Sequence, residues 1–404
     1  VKIVKILIIS PCYLPVPAVR GGAVATLIES LIKENNINQQ GKIDVISSYD
    51  TAAITKARIY EGTEFLWVKI PDIIEKIDYV VDWILQKLRL NKKPKRVLGK
   101  ICVIRKVKRI LSKKSYDRVI VQNSGYLLKI FKSSKLLSKY KDRMYYHLHN
   151  DIPINADVKV LQHFKFLLIS NYLKKGVINL CGKEAGSRCI IVKNGIDIGK
   201  FTRKLDADCR KEFRNSLGIN EGDKVIIFVG RINASKGIKE LLEAIKRIEE
   251  KTIKVLIVGS TNFGTSEISL YEHNIQTICK ELKERAIFTG FIDNDSLWQY
   301  YKSADIAVLP SIWEEPAGLT MIEAAVSGIP VMTTKVGGIP EYLNENHAIM
   351  LDKDEFIIDN IRVKILEFFE KGKWQVDINE AVEYVSHNFT EKVFYDSFME
   401  ALNS

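Results

Sequence analysis

The apolar runs of this chain come twice in the same rhythm. Val4–Ser10 is an unbroken apolar stretch, followed by a Pro-rich turn (Pro11, Pro15, Pro17), then Gly21-Gly22, then a helical pattern over Ala23–Glu34. Lys42–Tyr49, Phe65–Ile70, Arg118–Gln122, Arg143–His149, Lys165–Ser170 and Cys189–Lys193 are further short runs of the same kind. The series restarts at Lys224, with Val225–Val229, Val255–Val258, Ala286–Thr289, Ile306–Leu309 and Val331–Thr334. Helical patterns lie between them, at Gly237–Glu249, Ser296–Lys302 and Leu319–Val326. A strand that is apolar at every position must be covered on both faces, and the intervening helices supply that cover. The pattern therefore predicts parallel sheets of α/β type. Two series of similar size predict two Rossmann-like domains facing across a cleft, with ligands at the carboxyl ends of the strands. The expected bounds are 1–197 and 198–375, with the helical patterns of 376–404 crossing back to the N-terminal domain.

A length of 404 residues suits two domains. Hydrophobic residues at 46% and charged residues at 27% exclude a disordered or collagen-like chain. No apolar run approaches a membrane span of roughly 20 residues, and Val1–Ser10 reads as a strand rather than a signal peptide. Six cysteines without a CxxC pair suit a reducing compartment and show no zinc knuckle.

Charge is divided unevenly. Residues 1–200 hold 37 Lys+Arg against 16 Asp+Glu, whereas residues 201–404 hold 24 against 33. Between Lys76 and Lys114, 14 Lys/Arg face two Asp. Such a patch attracts phosphate or anionic lipid headgroups. Nucleic acid is not expected, because no reader motif accompanies the patch. Asp72–Leu90 has helical apolar spacing just before the basic stretch Asn91–Lys100. Its apolar face can pack on the sheet or lie at a bilayer surface, with Lys87, Arg89, Lys92, Lys93, Lys95 and Arg96 against phosphate.

Three segments of the second half carry candidate chemistry. Phe228–Gly237 ends a strand and presents Arg231 and Lys236 before a helix. Two cations beside helix amides suit a diphosphate, and they offset charge building on a leaving group. In Pro310–Ala324, Glu315 and Glu323 stand eight residues apart, one before a Pro–Gly turn and one about a turn into the next helix. This spacing suits one carboxylate near a sugar and the other near a ribose. Gly318 permits backbone approach, and the N–H groups of Leu319 and Thr320 point out of the helix start. Lys335–Glu341 forms a tight turn expected to wall the same site.

Taken together, these segments resemble the large retaining glycosyltransferase family 4, whose fold is GT-B. The Glu-x7-Glu signature stands as Glu315…Glu323, and the G-R-x(4)-K-G element as Gly230-Arg231…Lys236-Gly237. The glycine-rich amino-terminal loop stands as Gly21-Gly22, and the N-G-(V/I)-D turn as Asn194-Gly195-Ile196-Asp197. The resemblance runs from Ile6 to about Leu351 and into the trailing helices. It departs at Ala317, where the family frequently has Phe.

The resemblance implies that Glu315 bonds the donor sugar's hydroxyls and Glu323 the ribose hydroxyls. Arg231 and Lys236 would grip the donor diphosphate, with anion contacts from the amides of Gly22, Gly318 and Leu319. Phe291-Ile292 would clamp the base through backbone groups. A histidine at a strand end would lie beside the reacting sugar. His149 fits that position better than His147, and both remain candidates because alternation puts them on one side of the strand.

Transfer with retention would send the nucleoside diphosphate toward Arg231 and Lys236. The acceptor hydroxyl would arrive on the same face and give its proton to the leaving phosphate. The implied donor is a nucleoside-diphosphate sugar, UDP-linked by default. The implied acceptor is a glycan or a polyprenyl-diphosphate-linked glycan of bacterial polysaccharide assembly, met from the cytoplasmic side at the membrane surface. No cofactor and no metal are expected. Asp206-Ala207-Asp208, Asp293-Asn294-Asp295 and Asp352-Lys353-Asp354 do not follow apolar strands as a metal-holding pair would, and Arg231 and Lys236 already supply positive charge. An epimerase or phosphorylase on the same fold, or a noncatalytic sugar-nucleotide binder, are the rival readings. A dinucleotide oxidoreductase is disfavoured because no GxGxxG opens either half.

Overall fold

The structure is a computed structural model that describes residues 3–88, 95–153, 156–261, 269–371 and 376–404. It divides into two compact units. The first comprises Val1–Ile169, Leu173–Val192 and Tyr395–Ser404, and the second Ser170–Tyr172 and Lys193–Phe394.

The first unit is built on strands β1 (Val4–Ile9), β2 (Gly41–Ser48), β3 (Glu64–Val68), β4 (Arg118–Gln122), β5 (Met144–Leu148), β6 (Lys165–Leu168) and β7 (Cys189–Ile191). They form one parallel sheet in the order β3-β2-β1-β4-β5-β6-β7. The uninterrupted apolar runs explain the burial. Ile6–Ile9, Val119–Val121 and Phe166–Leu168 are all fully buried, as sheets covered on both faces require. The end of the chain completes this core. Phe398 and Leu402 are buried, Tyr395 donates its hydroxyl to Asn35 Oδ1 at 2.9 Å, and Arg118 Nε donates to the Leu402 carbonyl at 2.6 Å.

The second unit repeats the plan with β8 (Lys224–Val229), β9 (Ile253–Val258), β10 (Ala286–Gly290), β11 (Ile306–Leu309), β12 (Val331–Thr334) and β13 (Ile349–Leu351). The order is β10-β9-β8-β11-β12-β13, again with parallel pairs. In each sheet the order reverses beside the first strand of the series, between β1 and β4 and between β8 and β11. The carboxyl ends of the two strands at such a reversal splay their following loops apart, and this opens a crevice.

One element departs from the simplest packing. The Asp72–Lys87 helix keeps Ile73, Ile77, Val80, Val81 and Ile84 exposed, while Asp78 and Asp82 are buried. Packing of its apolar face on the sheet is therefore not what the chain does. The two aspartates face the next helix, Val97–Lys113, which buries Gly99, Val103, Val107 and Leu111 at four-residue spacing. Arg89, Lys92 and Lys93 of the basic stretch lie outside the described residues.

Candidate active site

The loops that leave β8 and β11 carry Arg231, Lys236 and Glu315, so the reversal in the second sheet brings two distant sequence segments together. After β8 the chain turns through Gly230 and Arg231 into the short Ala234–Lys236 turn. Gly237 follows with φ +71°, in the left-handed region. A Cβ there would lie 1.9 Å from the Pro310 carbonyl oxygen, so only glycine lets the two loops approach. Ile312 N–H donates to the Ser235 carbonyl at 3.0 Å and locks that approach.

The result is a polar cluster around one carboxylate oxygen. Glu315 Oε2 accepts from Lys236 Nζ at 2.5 Å, Trp313 Nε1 at 2.9 Å and Ser311 Oγ at 3.0 Å. The Lys236 and Glu315 side chains are 22% and 13% exposed, so this pair is shielded yet reachable from solvent. Arg231 stands on the same loop with its side chain exposed. The β12 loop buttresses the carboxylate's backbone. Gly338 N–H donates to the Glu315 carbonyl at 2.7 Å and Gly337 N–H to Glu314 Oε2 at 2.7 Å. Gly337 has φ +57°, and a Cβ there would lie 2.2 Å from the Glu315 carbonyl oxygen. Lys335–Glu341 thus meets the Glu314–Glu315 backbone. Glu314 itself is half-exposed and paired with Lys353 Nζ at 2.7 Å.

Glu323 occupies a different environment. It lies inside the Leu319–Val326 helix, which begins after Gly318 without a side-chain cap. The first-turn N–H groups of Leu319 and Thr320 accordingly have no intrahelical acceptor. Glu323 Oε2 accepts from the Tyr301 hydroxyl at 3.1 Å, and the same hydroxyl reaches the Thr320 carbonyl at 3.2 Å. Burial pushes the Glu323 carboxyl up to about 7, against the lowering pull of the Tyr301 hydrogen bond and the Lys200 charge. Glu323 therefore changes charge near neutrality, with direct consequences for any hydroxyl it holds. Phe291 and Ile292 follow β10, with Phe291 39% exposed.

In the first unit, Gly22 has φ +98° and leads into the Ala23–Asn38 helix. A Cβ on Gly22 would lie 2.4 Å from Leu14 Cδ1. His149 follows β5, with its Nε2 3.0 Å from Gln122 Oε1. Its backbone N–H and that of Asn150 both donate to Asn123 Oδ1 at 3.1 Å. His147 lies inside β5 and is completely buried, and its pKa falls well below the usual histidine value through burial and the neighbouring His149. The two rings are 4.2 Å apart between centroids. At the β1–β4 reversal, Tyr13 and Tyr126 pair at 5.8 Å, and Tyr13 is 60% exposed.

Sequence reasoning missed Ser311, Trp313, Tyr301, Gln122 and Asn123. Ser311 and Trp313 alternate with Glu315 in a segment already singled out, a signal that was present. Tyr301 stands 22 residues before Glu323 and becomes its partner only through helix packing. The Asp tripeptides have structural work. Asp206 Oδ1 caps a helix at Cys209 N–H, Asp295 pairs with Lys200, and Asp354 accepts from Phe356 N–H. Among the described residues no group of three or more His, Cys, Asp or Glu is arranged to hold a metal ion.

Residues 209–383 match the family model for glycosyl transferases group 1, which lies wholly within the second unit and spans less than half of the chain. An uncharacterized glycosyltransferase of Methanocaldococcus jannaschii is 31% identical over 179 residues, 44% of this chain and 44% of that protein. The alignment thus spans under half of that relative. The lipopolysaccharide 1,2-N-acetylglucosaminetransferase of Salmonella typhimurium is 27% identical over 301 residues, 69% of this chain and 74% of that protein. Among solved structures, the Anabaena protein HepE in complex with UDP superposes with a TM-score of 0.73 at 18% identity, covering 99% of both chains. At that identity the likeness is one of fold. Two parallel-sheet, Rossmann-like units in one chain, matched over their full length, give this protein the GT-B fold.

Proposed function

We propose that the chain is a retaining glycosyltransferase of family 4. In this reading it moves a hexose or related sugar from a UDP-linked donor to a hydroxyl of a glycan or polyprenyl-diphosphate-linked acceptor. The observation that carries the reading is the cluster of Lys236, Ser311 and Trp313 on one oxygen of Glu315, beside Arg231 at the strand-order reversal of the second sheet. That cluster puts a cation and an oriented carboxylate side by side. A sugar diphosphate needs both, one for its phosphates and one for its hydroxyls. The group 1 match over the same unit and the fold shared with a UDP-bound protein support it.

The bond from the anomeric carbon to the diphosphate oxygen breaks as charge moves onto the diphosphate, toward Arg231 and Lys236. The acceptor oxygen bonds the same face of that carbon, and its proton passes to the departing phosphate oxygen. Glu315 orients the sugar, and Glu323 holds the ribose hydroxyls. The amides of Gly22, Gly318, Leu319 and Thr320 offer anion contacts, and Phe291-Ile292 flanks the base. His149, beyond the strand end and bonded to Gln122, is the histidine assigned to the reacting sugar. Arg231 and Lys236 do the work that a divalent ion would otherwise do, so catalysis is metal-independent and EDTA leaves the initial rate unchanged. The enzyme works from the cytoplasmic face, at the membrane that carries a lipid-linked acceptor.

A donor screen with mass-spectrometric detection, using polyprenyl-diphosphate-linked glycans as acceptors, tests the proposal. It expects acceptor mass increased by one sugar, with UDP released and the donor's anomeric configuration kept. Free sugar in place of glycosylated acceptor with every donor overturns transfer in favour of an epimerase-like or hydrolytic reaction.

A further inference from the structure

The Asp72–Lys87 helix is built inside out. Its inward stripe is Ile74, Asp78, Asp82 and Leu85, and the rest of its surface is exposed. Asp78 accepts from the N–H groups of Leu98 (3.0 Å) and Gly99 (2.7 Å), and Asp82 from those of Lys95 (2.9 Å) and Arg96 (3.0 Å). The amides of Arg96, Leu98 and Gly99 are orphan donors at the start of the Val97–Lys113 helix, and that of Lys95 comes just before it; partial positive charge there also favours a carboxylate. The acids are thus spent inside a helical hairpin, which forces the apolar residues outward. Tyr79 is 74% exposed, Trp83 53%, Val80 51%, Ile77 43% and Ile84 42%. A solvated helix normally shows the opposite arrangement, and a contiguous exposed apolar face marks an interaction surface.

Charge around this face selects its occupant. Lys87 Nζ lies 5.0 Å from the centre of the Trp83 ring. Lys76 on the same helix, Lys95 and Arg96 just before the second helix, and Arg105, Lys106 and Arg109 on it are also exposed. A second copy of this chain would bring like charge against like charge. An anionic bilayer offers the complement, with acyl chains for the apolar stripe and headgroup phosphates for the cations. Trp and Tyr at the edge of such a face prefer the headgroup level. The hairpin also reaches the sheet end that would take an acceptor. Lys100, on its second helix, sits 6.0 Å from the Tyr13 ring and 5.7 Å from the Tyr126 ring, beside the β1–β4 reversal.

We propose that the outward face of the Asp72–Lys87 helix, together with the cations of the hairpin, is a docking surface for anionic phospholipid bilayers. This deepens the lipid-linked acceptor reading, because it names the surface that would bring the first unit to such an acceptor. Docking is measured without donor or acceptor, so its failure leaves the transfer reaction standing, and the reverse holds too.

The test is flotation of the full chain with vesicles of phosphatidylcholine alone or with one third phosphatidylglycerol. The expected result is at least about tenfold stronger partition onto the anionic vesicles, weakened by added salt as screening shortens the reach of the charges. Changing Ile77, Val80 and Ile84 together to Ser should reduce that partition at least about tenfold. Changing Lys87, Lys95 and Arg96 together to Glu should do the same. All six side chains are exposed or carry exposed charge, so melting temperature and UDP binding should match the parent in both variants. Equal partition of parent and triple-Ser variant, or partition indifferent to vesicle charge, overturns the proposal. So does self-association of the parent, by analytical ultracentrifugation, that the triple-Ser variant loses, since the face would then belong to a second copy.

Discussion

Glu323 is a buried carboxylate whose ionisation opposes the fold. Its carboxyl has an ordinary value of 4.5 and sits at about 7 in the fold because burial disfavours the charged form. The folded protein therefore holds a proton that the unfolded chain has already released between those values. The associated stability is fully present below about pH 4.5 and is lost as pH rises through about 7. Glu323→Gln cannot ionise, so its stability relative to the parent should increase between pH 5 and 8, by up to on the order of 3 kcal/mol. Thermal melts across that range check this. The same variant should bind UDP about 1–3 kcal/mol more weakly at pH 8. Parent affinity should rise with pH through about 7, whereas the variant's affinity should stay flat, and calorimetry reads both. Lys236 and Glu315 make a different residue-scale argument, because each contacts the other directly. A cation whose work grows as the diphosphate departs acts on the transition state more than on the bound donor. Arg231→Ala and Lys236→Ala should each lower kcat by about 10²–10³ while changing KM far less. Steady-state kinetics would show near-normal kcat, even with both cations replaced, if the diphosphate bound elsewhere.

At the scale of elements, the hairpin of Asp72–Lys87 and Val97–Lys113 depends on two carboxylates rather than on an apolar seam alone. Asp78→Ala leaves the Leu98 and Gly99 N–H groups without their acceptor, and Gly99 is buried. The expected cost is about 1–3 kcal/mol, visible as a lowered denaturant midpoint with little change in slope. Substituting exposed Val80 by Ser should leave the midpoint within about 0.5 kcal/mol of the parent. This hairpin also marks where the sequence could be read and where it could not. The strands Arg118–Gln122, Ile306–Leu309 and Val331–Thr334 run between the residues that their apolar runs indicated. A strand buried on both faces writes its limits into composition. Edge strand β13, Ile349–Leu351, escaped notice because it is three residues long and only its last residue is fully buried. The Val97–Lys113 helix escaped because its lysines and arginines hid the spacing of Val103, Val107 and Leu111. At the candidate site, Arg231, Lys236 and Glu315 were legible because Gly and Pro turns advertise loops at strand ends. The meeting of Lys236, Ser311 and Trp313 on one oxygen of Glu315 was not, since the order of β8 beside β11 is a tertiary fact. The direction in which the Asp72–Lys87 helix faces was equally hidden, because apolar spacing alone does not tell which side is solvent.

On the scale of the whole molecule, the chain visits its units out of order. After the second unit ends at Phe394, residues Tyr395–Ser404 belong to the first. Their hold is both apolar and polar. Phe398 is fully buried, and its ring centre is 6.0 Å from that of His147 in β5. The Leu402 carbonyl accepts from Arg118 Nε at 2.6 Å and the Tyr145 hydroxyl at 3.4 Å. The last turn of the chain is therefore part of the first core, while the group 1 match at residues 209–383 lies in the second unit. On the proposed function, this separation lets stability of the first core and nucleotide binding be perturbed independently. Phe398→Ala removes a fully buried aromatic ring and should cost the first unit about 3–5 kcal/mol. A protein with two cores need not unfold in one step, so the loss should appear as one calorimetric transition moving down in temperature relative to the other. Added UDP should raise the transition of the second unit by mass action, in the variant as in the parent. Calorimetry of both proteins with and without UDP reads both effects. If Phe398→Ala shifts both transitions equally and abolishes the response to UDP, the two cores are one cooperative unit, and the closing segment acts on the whole protein rather than on the first sheet.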